Sequence, residues 1–345
     1  MLFAAAAVLA ASGAVKAKKK APAKKPVPAL TAKKPAKAAK KPAAGPQDTR
    51  YRKTPYVGAI AVDAATSNVL FEANAEVTAY PASVTKLMTA LLVLEDVATN
   101  AYAFADYVTA TPDVYKSEAS WVGLKAGEKM SVKDLLAALM VESANDAAIA
   151  LGVHSAGSLE AFTARMNERA KELGMVHTCY YNPNGLPPKG RRYPWKNFNV
   201  TTARDQSRLA LALVNNNPRI LEFTSIKTCD LVKTPFGYRV SVTRRANDPK
   251  VYETPLASGE QLVKAMRNHN NVMVKDKFKL INPDGKEAVD GLKTGYIEAG
   301  GSSVVLTGSR NARRAVVVVL GSSSSEVRDT EARQLLLDAL GAISW

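Results

Sequence analysis

Pro81-Ala82-Ser83-Val84-Thr85-Lys86-Leu87-Met88-Thr89-Ala90 is the stretch from which the rest of this 345-residue chain is read. Ser83 is followed three positions on by Lys86, and then by Leu87, Met88, Ala90, Leu91, Leu92 and Leu94, an apolar run that predicts a helix deep in a core. Pro81 falls just ahead of that helix, where a missing N–H is tolerated. Residues three apart share a helix face, so the Ser83 hydroxyl and the Lys86 amine are expected within hydrogen-bond reach. The hydroxyl is also expected at the helix start, near the positive end of the dipole and its unpaired N–H groups. That suits a nucleophile whose product carries negative charge.

Working outward, Val57 to Asp63 and Val69 to Glu72 flank a Ser67-Asn68 turn and predict a β-hairpin. Ser131 with Asp134 predicts a helix cap, and the helix that follows ends or bends at Glu142-Ser143-Ala144-Asn145-Asp146. A helix over Leu159 to Leu173 ends at Gly174, and Thr202-Ala203-Arg204-Asp205 opens another. Asn182-Pro183-Asn184-Gly185-Leu186 reads as a turn. Ser302 to Gly308, a basic turn, and Ala315 to Leu320 predict two strands, followed by a helix from about Glu326 to Leu340. Strands at both ends with helices between them predict an α+β domain, one antiparallel sheet with helices on its faces.

A formal charge of +16 invites a nucleic-acid reading, but eleven lysines fall between Lys16 and Lys41, leaving an excess of only five elsewhere. Residues 18–50 are mostly Lys, Ala and Pro, a composition expected to stay extended as a spacer before a domain at 51–345. Chemically the arm suits anionic wall or membrane polymers, and no specific nucleic acid is expected. Residues 1–17 resemble a secretory signal without the usual leading Lys or Arg, cleaved or kept as an anchor, so an exported protein is expected. Cys179 and Cys229 leave a single disulfide and two isolated thiols equally open. His154, His177 and His269 show no metal-motif spacing, so neither metal nor cofactor is expected.

Three short motifs occur in order: Ser83-x-x-Lys86, Ser143-Ala144-Asn145 and Lys293-Thr294-Gly295. With their neighbourhoods, Ser143 to Ala148, Asn182-Pro183 with Gly185-Leu186, Thr202 to Asp205, and Asp290 to Gly295, the chain from about Tyr56 onward closely resembles the low-molecular-weight penicillin-binding proteins, the serine D-Ala-D-Ala carboxypeptidases. The resemblance implies a β-lactamase/transpeptidase-like fold, a central antiparallel sheet covered by helices on both faces with a helical subregion. Peptidoglycan stem peptides are the implied substrates and β-lactams the implied covalent inhibitors.

The chemistry stands beside the name. Serine is a poor nucleophile and needs a base, and Lys86 is the candidate because no motif places a His there. Bringing an amine from about 10.4 to near neutrality takes roughly 4 kcal/mol of environment. Burial and a second cation, Lys293, both push that way. By resemblance, Ser83 forms the acyl-enzyme, Lys86 takes its proton, and Ser143 relays a proton to the departing amine. Asn145 holds the substrate backbone, Lys293 and Thr294 of the Lys-Thr-Gly295 motif bind a terminal carboxylate, and the N–H groups of Ser83 and Tyr296 form an oxyanion hole. Arg328 falls where the family often has a second carboxylate-binding arginine. Tyr296 and Asn184 stand where many relatives have His, and the chain looks like the short, single-domain type, which includes endopeptidases cutting D-Ala cross-links. A serine β-lactamase is a rival that lacks its Glu-x-x-Leu-Asn stretch here, and a non-enzymatic polyanion binder using the arm is a rival of another class. Asp146, Arg204 and Asp205 read as support at helix starts, and Tyr115, Trp121 and Trp195 as packing or cleft rim.

Overall fold

The structure, a computed structural model, describes residues 54–116, 119–187 and 197–342. The signal-like start, the basic arm, Trp195 and the side chain of Tyr115 lie outside the described residues.

Early and late segments of the described chain share a sheet. Strands β1 (Gly58–Asp63) and β2 (Val69–Ala73) form the expected hairpin, with Ser67 left-handed at φ 62° in its turn. Strands β8 (Val289–Ile297), β9 (Gly301–Arg310) and β10 (Arg313–Ser322) complete an antiparallel sheet in the order β2-β1-β10-β9-β8. In register, Ile60 faces Val318 and Val318 faces Val305. The unbroken Val run of β10 follows from burial on both faces. Val316, Val318 and Leu320 point into the larger core, while Ala315, Val317 and Val319 meet Ala332, Leu336 and Leu340 of the last helix, α8 (Ser325–Ala342).

The larger core is shared with helices α1 (Lys86–Ala98), α2 (Val132–Val141), α3 (Asn145–Ala156), α4 (Leu159–Glu172) and α5 (Ala203–Leu211). Ser131, Ser158 and Thr202 each accept the N–H three residues on, which sets the starts of α2, α4 and α5. Two short helices follow, α6 (Ile220–Thr224) and α7 (Asn271–Val274). Ser83 itself sits one turn ahead of α1, on a 3-10 turn over Ala82–Thr85 with Pro81 before it, so the nucleophile candidate precedes the α-helix instead of opening it.

A second five-stranded sheet was not expected from sequence. Strands β3 (Tyr107–Thr109), β4 (Lys129–Ser131), β5 (Ile226–Thr234), β6 (Gly237–Arg245) and β7 (Gln261–Arg267) lie in the order β3-β4-β6-β5-β7. Cys229, Leu231 and Met266 point into the core, while charged and hydroxyl residues alternate with them outward, so no apolar run marks these strands.

Candidate active site

The Ser83 turn is wedged between two backbones that tolerate no side chain. A Cβ on Gly295 of β8 would lie 2.6 Å from the Pro81 carbonyl oxygen and 3.0 Å from the Ser83 nitrogen. A Cβ on Gly185, in the Asn182–Leu186 turn at φ +83°, would lie 1.9 Å from the Ala82 carbonyl oxygen. The glycine of the Lys-Thr-Gly motif is therefore what lets β8 lie directly against the nucleophile. Ala82 pays a local cost, since it is left-handed at φ 49° immediately before Ser83.

Lys86 is fully buried, yet its amine is surrounded by oxygen: Nζ lies 3.0 Å from Ser83 Oγ, 2.7 Å from Asn145 Oδ1 and 2.7 Å from the Asn184 carbonyl oxygen. The amide and carbonyl oxygens are acceptors only. A charged amine donates to all three partners. A neutral amine spends its two N–H groups on those two oxygens, and its lone pair is left facing the Ser83 hydroxyl. Burial first, and then the nearby Lys293 charge, hold the Lys86 pKa well below that of an ordinary lysine, against a smaller opposing pull from Asp146. Among the described residues no carboxylate is one of its hydrogen-bond partners.

Asn145 opens α3, and the bend before it puts Ser143 at φ 61° with a buried hydroxyl that has no hydrogen-bond partner among the described residues. Asp146, fully buried, accepts the N–H groups of Val122, Gly123 and Leu124, and the Asn145 N–H donates to the Ser120 carbonyl at 2.9 Å. The loop bearing Trp121 is thereby fastened to the Ser143 bend, with the indole 52% exposed.

Lys293 of β8 is also buried, and its Nζ donates to the Thr294 carbonyl at 2.9 Å. Burial, followed by the Arg328 charge, pushes its pKa down to about 7. Arg328 is buried at the start of α8, where its Nε donates to Asp329 Oδ1 at 2.8 Å and Asn271 steadies the same carboxylate. It reaches the site electrically, with its guanidinium already paired. Tyr296 is 65% exposed on the same edge strand.

Sequence reasoning missed His269. Its neighbours Asn268 and Asn270 are buried and pin the chain to the carbonyls of Ile226 and of Gly291, two residues before Lys293. Loss of water around its ring, then the charges of Lys293, Lys86, Arg328 and Lys264, push its pKa down to about 4. The Asn184 carbonyl was missed too, since a backbone oxygen leaves no mark in composition. Cys179 and Cys229 are both free thiols, and among the described residues no cluster of His, Cys, Asp or Glu is placed to hold a metal.

Ser-x-x-Lys, Ser-x-Asn and Lys-Thr-Gly brought together in one fold are the motif trio found in serine β-lactamases and penicillin-binding proteins. The family model described as D-alanyl-D-alanine carboxypeptidase matches residues 53–252, and the chain belongs to that family. It is 27% identical over 278 residues to the D-alanyl-D-alanine carboxypeptidase DacF of Bacillus subtilis, covering 81% of this chain and 60% of that protein. The chain thus spans about three fifths of the length of that curated relative. Among solved structures it resembles the D-alanyl-D-alanine carboxypeptidase DacD of Francisella tularensis, with TM-score 0.69, 27% identity, and coverage of 88% of this chain and 74% of that one. Penicillin-binding protein D2 of Listeria monocytogenes in its ampicillin-bound form aligns with TM-score 0.61 at 26% identity, over 83% of this chain and 98% of that one.

Proposed function

We propose that this protein is a serine DD-peptidase that cleaves terminal D-Ala-D-Ala bonds of peptidoglycan stem peptides through an acyl-enzyme, and that β-lactams acylate it. The observation that carries this reading is the amine of Lys86, buried, oriented by two fixed acceptor oxygens and 3.0 Å from Ser83 Oγ. In this mechanism Ser83 Oγ attacks the penultimate D-Ala carbonyl as its proton passes to Lys86. The N–H groups of Ser83 and Tyr296 receive the oxyanion, an assignment favoured by the close seating of β8 against the Ser83 turn. Ser143 passes a proton to the leaving D-alanine nitrogen, so the bond breaks to an amine and an ester. Water then cleaves the ester with Lys86 again accepting a proton, which restores Ser83.

Lys293 and Thr294 grip the terminal carboxylate, with Arg328 adding positive potential from behind. The peptide itself lies along β8, an edge strand whose free hydrogen-bonding groups suit an extended chain. In the same proposal residues 1–17 direct export, 18–50 act as a basic spacer toward anionic envelope polymers, and the domain at 51–345 works in the periplasm or wall space. No helix among the described residues is long and apolar enough to cross a membrane.

The test is incubation of purified protein with isolated muropeptides followed by separation of products. Release of free D-alanine supports the carboxypeptidase reading. Loss of cross-linked dimers without it moves the assignment to an endopeptidase, and no change in either pool sinks the peptidase reading.

A further inference from the structure

One side chain from the second sheet reaches across to the Ser143 bend. Lys264 lies on the face of β7 that also carries the buried Met266, since Lys264 pairs with Leu231 and Met266 with Cys229 in register. That face is turned toward the helical region, and Lys264 Nζ donates to Glu142 Oε1 at 2.7 Å and to the Trp121 carbonyl at 3.2 Å. Glu142 is the residue that ends α2 immediately before Ser143, and its side chain is only 18% exposed. Trp121 follows Ser120, whose carbonyl holds the Asn145 N–H. Glu142 and Ala144 N–H to the Ala138 carbonyl, Lys86 Nζ to Asn145 Oδ1 and Asp146 to the 122–124 backbone are ties on the bend that arise within the helical region. Lys264 arrives from a different sheet, and it clasps both stretches of chain that frame Ser143 and Asn145.

The geometry points to Lys264 as a positioning residue for Ser143, acting through the Lys264–Glu142 pair and the Trp121 carbonyl to fix the left-handed bend that aims the Ser143 hydroxyl. The inference rests on the serine-peptidase reading above. Ser143 needs such external bracing because its hydroxyl has no hydrogen bond among the described residues to hold it and its backbone sits in a region that a serine leaves readily when support is lost. Small misplacements of a proton-relaying group translate into rate with little change in binding.

The experiment measures acylation of the full chain by a fluorescent penicillin, separating the saturating rate from the half-saturating concentration, with melting temperature followed in parallel. K264M is expected to lower the saturating rate about tenfold with half-saturation unchanged. K264R, which keeps charge and donors, is expected to stay within about threefold of the parent. E142L, which leaves Lys264 no acceptor at this position, is expected to fall like K264M, and the K264M/E142L double variant to be no slower than either single one, because both remove one contact. W121A keeps the carbonyl and is expected to keep the rate. If K264M is too unstable to assay, E142L carries the same test from the other partner. A parent that is acylated while K264M or E142L matches its rate, or single effects that multiply in the double variant, overturn the positioning role alone. A parent that is never acylated overturns the peptidase reading together with it.

Discussion

Strand β10 and the seam along β8 belong to one sheet, two strands apart, and they use burial in opposite ways. From Ala315 to Leu320 every residue of β10 is apolar and fully buried, so each one gains from leaving water. Along the seam the buried groups are Lys86, Ser143, Asn145 and Lys293, with exposures of 0%, 3%, 2% and 2%. Each of the two lysines is held away from its preferred charge state by that burial. Ala82 and Ser143 add left-handed backbone beside them. The comparison teaches that the sheet interior supplies the stability and the edge stores the misfit, and that stored misfit is what prepares an amine and a hydroxyl to react.

The sharpest way to break this comparison is to remove the nucleophile. S83A is expected to cut penicillin acylation and D-alanine release by at least about 10⁴-fold while leaving the melting curve within about 0.5 kcal/mol of the parent. Gel fluorescence with labelled penicillin checks the first part and urea unfolding the second. Next in size is the cost of burying Lys293. With a folded pKa near 7, below its ordinary value, the unfolded chain binds the extra proton first as pH falls, so the folded state loses stability between about pH 10 and 7. K293M is therefore expected to stabilise the protein by about 4 kcal/mol at pH 7 and by nothing above about pH 10.5, while abolishing tight use of carboxylate-ended peptides. Urea titrations at those two pH values read this directly.

Within β10 the sign reverses. V318A, facing Ile60 in the core, is expected to cost about 2 kcal/mol and to leave the acylation rate per folded molecule unchanged. Smallest is the cap of α2: S131A removes the acceptor for the Asp134 N–H and is expected to cost about 1 kcal/mol. A V318A protein that is fully stable but inactive would show that core and seam are not separable in the way described.

What could be read from the chain divides along the same line. The hairpin of β1 and β2, the Val run of β10 and the capped helices were legible because each repeats one physical signal over several residues. Ser83 and Lys86 were legible because three-residue spacing brings them together on a 3-10 turn as well as on an α-helix. The sheet built from β5, β6 and β7 was not, because Lys227, Asp230, Arg239 and Arg244 interrupt its inward residues. The Asn184 carbonyl on Lys86, the pinning of His269 by two asparagines and the reach of Lys264 depend on contacts 98, 42 and 122 residues apart, which no local pattern encodes.

The central claim is that an uncharged Lys86 draws the proton from Ser83. It is tested most directly by the pH dependence of acyl transfer from benzylpenicillin, with the modified residue located by peptide mass spectrometry. The account predicts a single acyl group on Ser83, forming faster as pH rises through the lowered pKa of Lys86, and almost none in K86M. An acyl group on another residue, or Ser83 acylated in K86M at the parent rate, would contradict it.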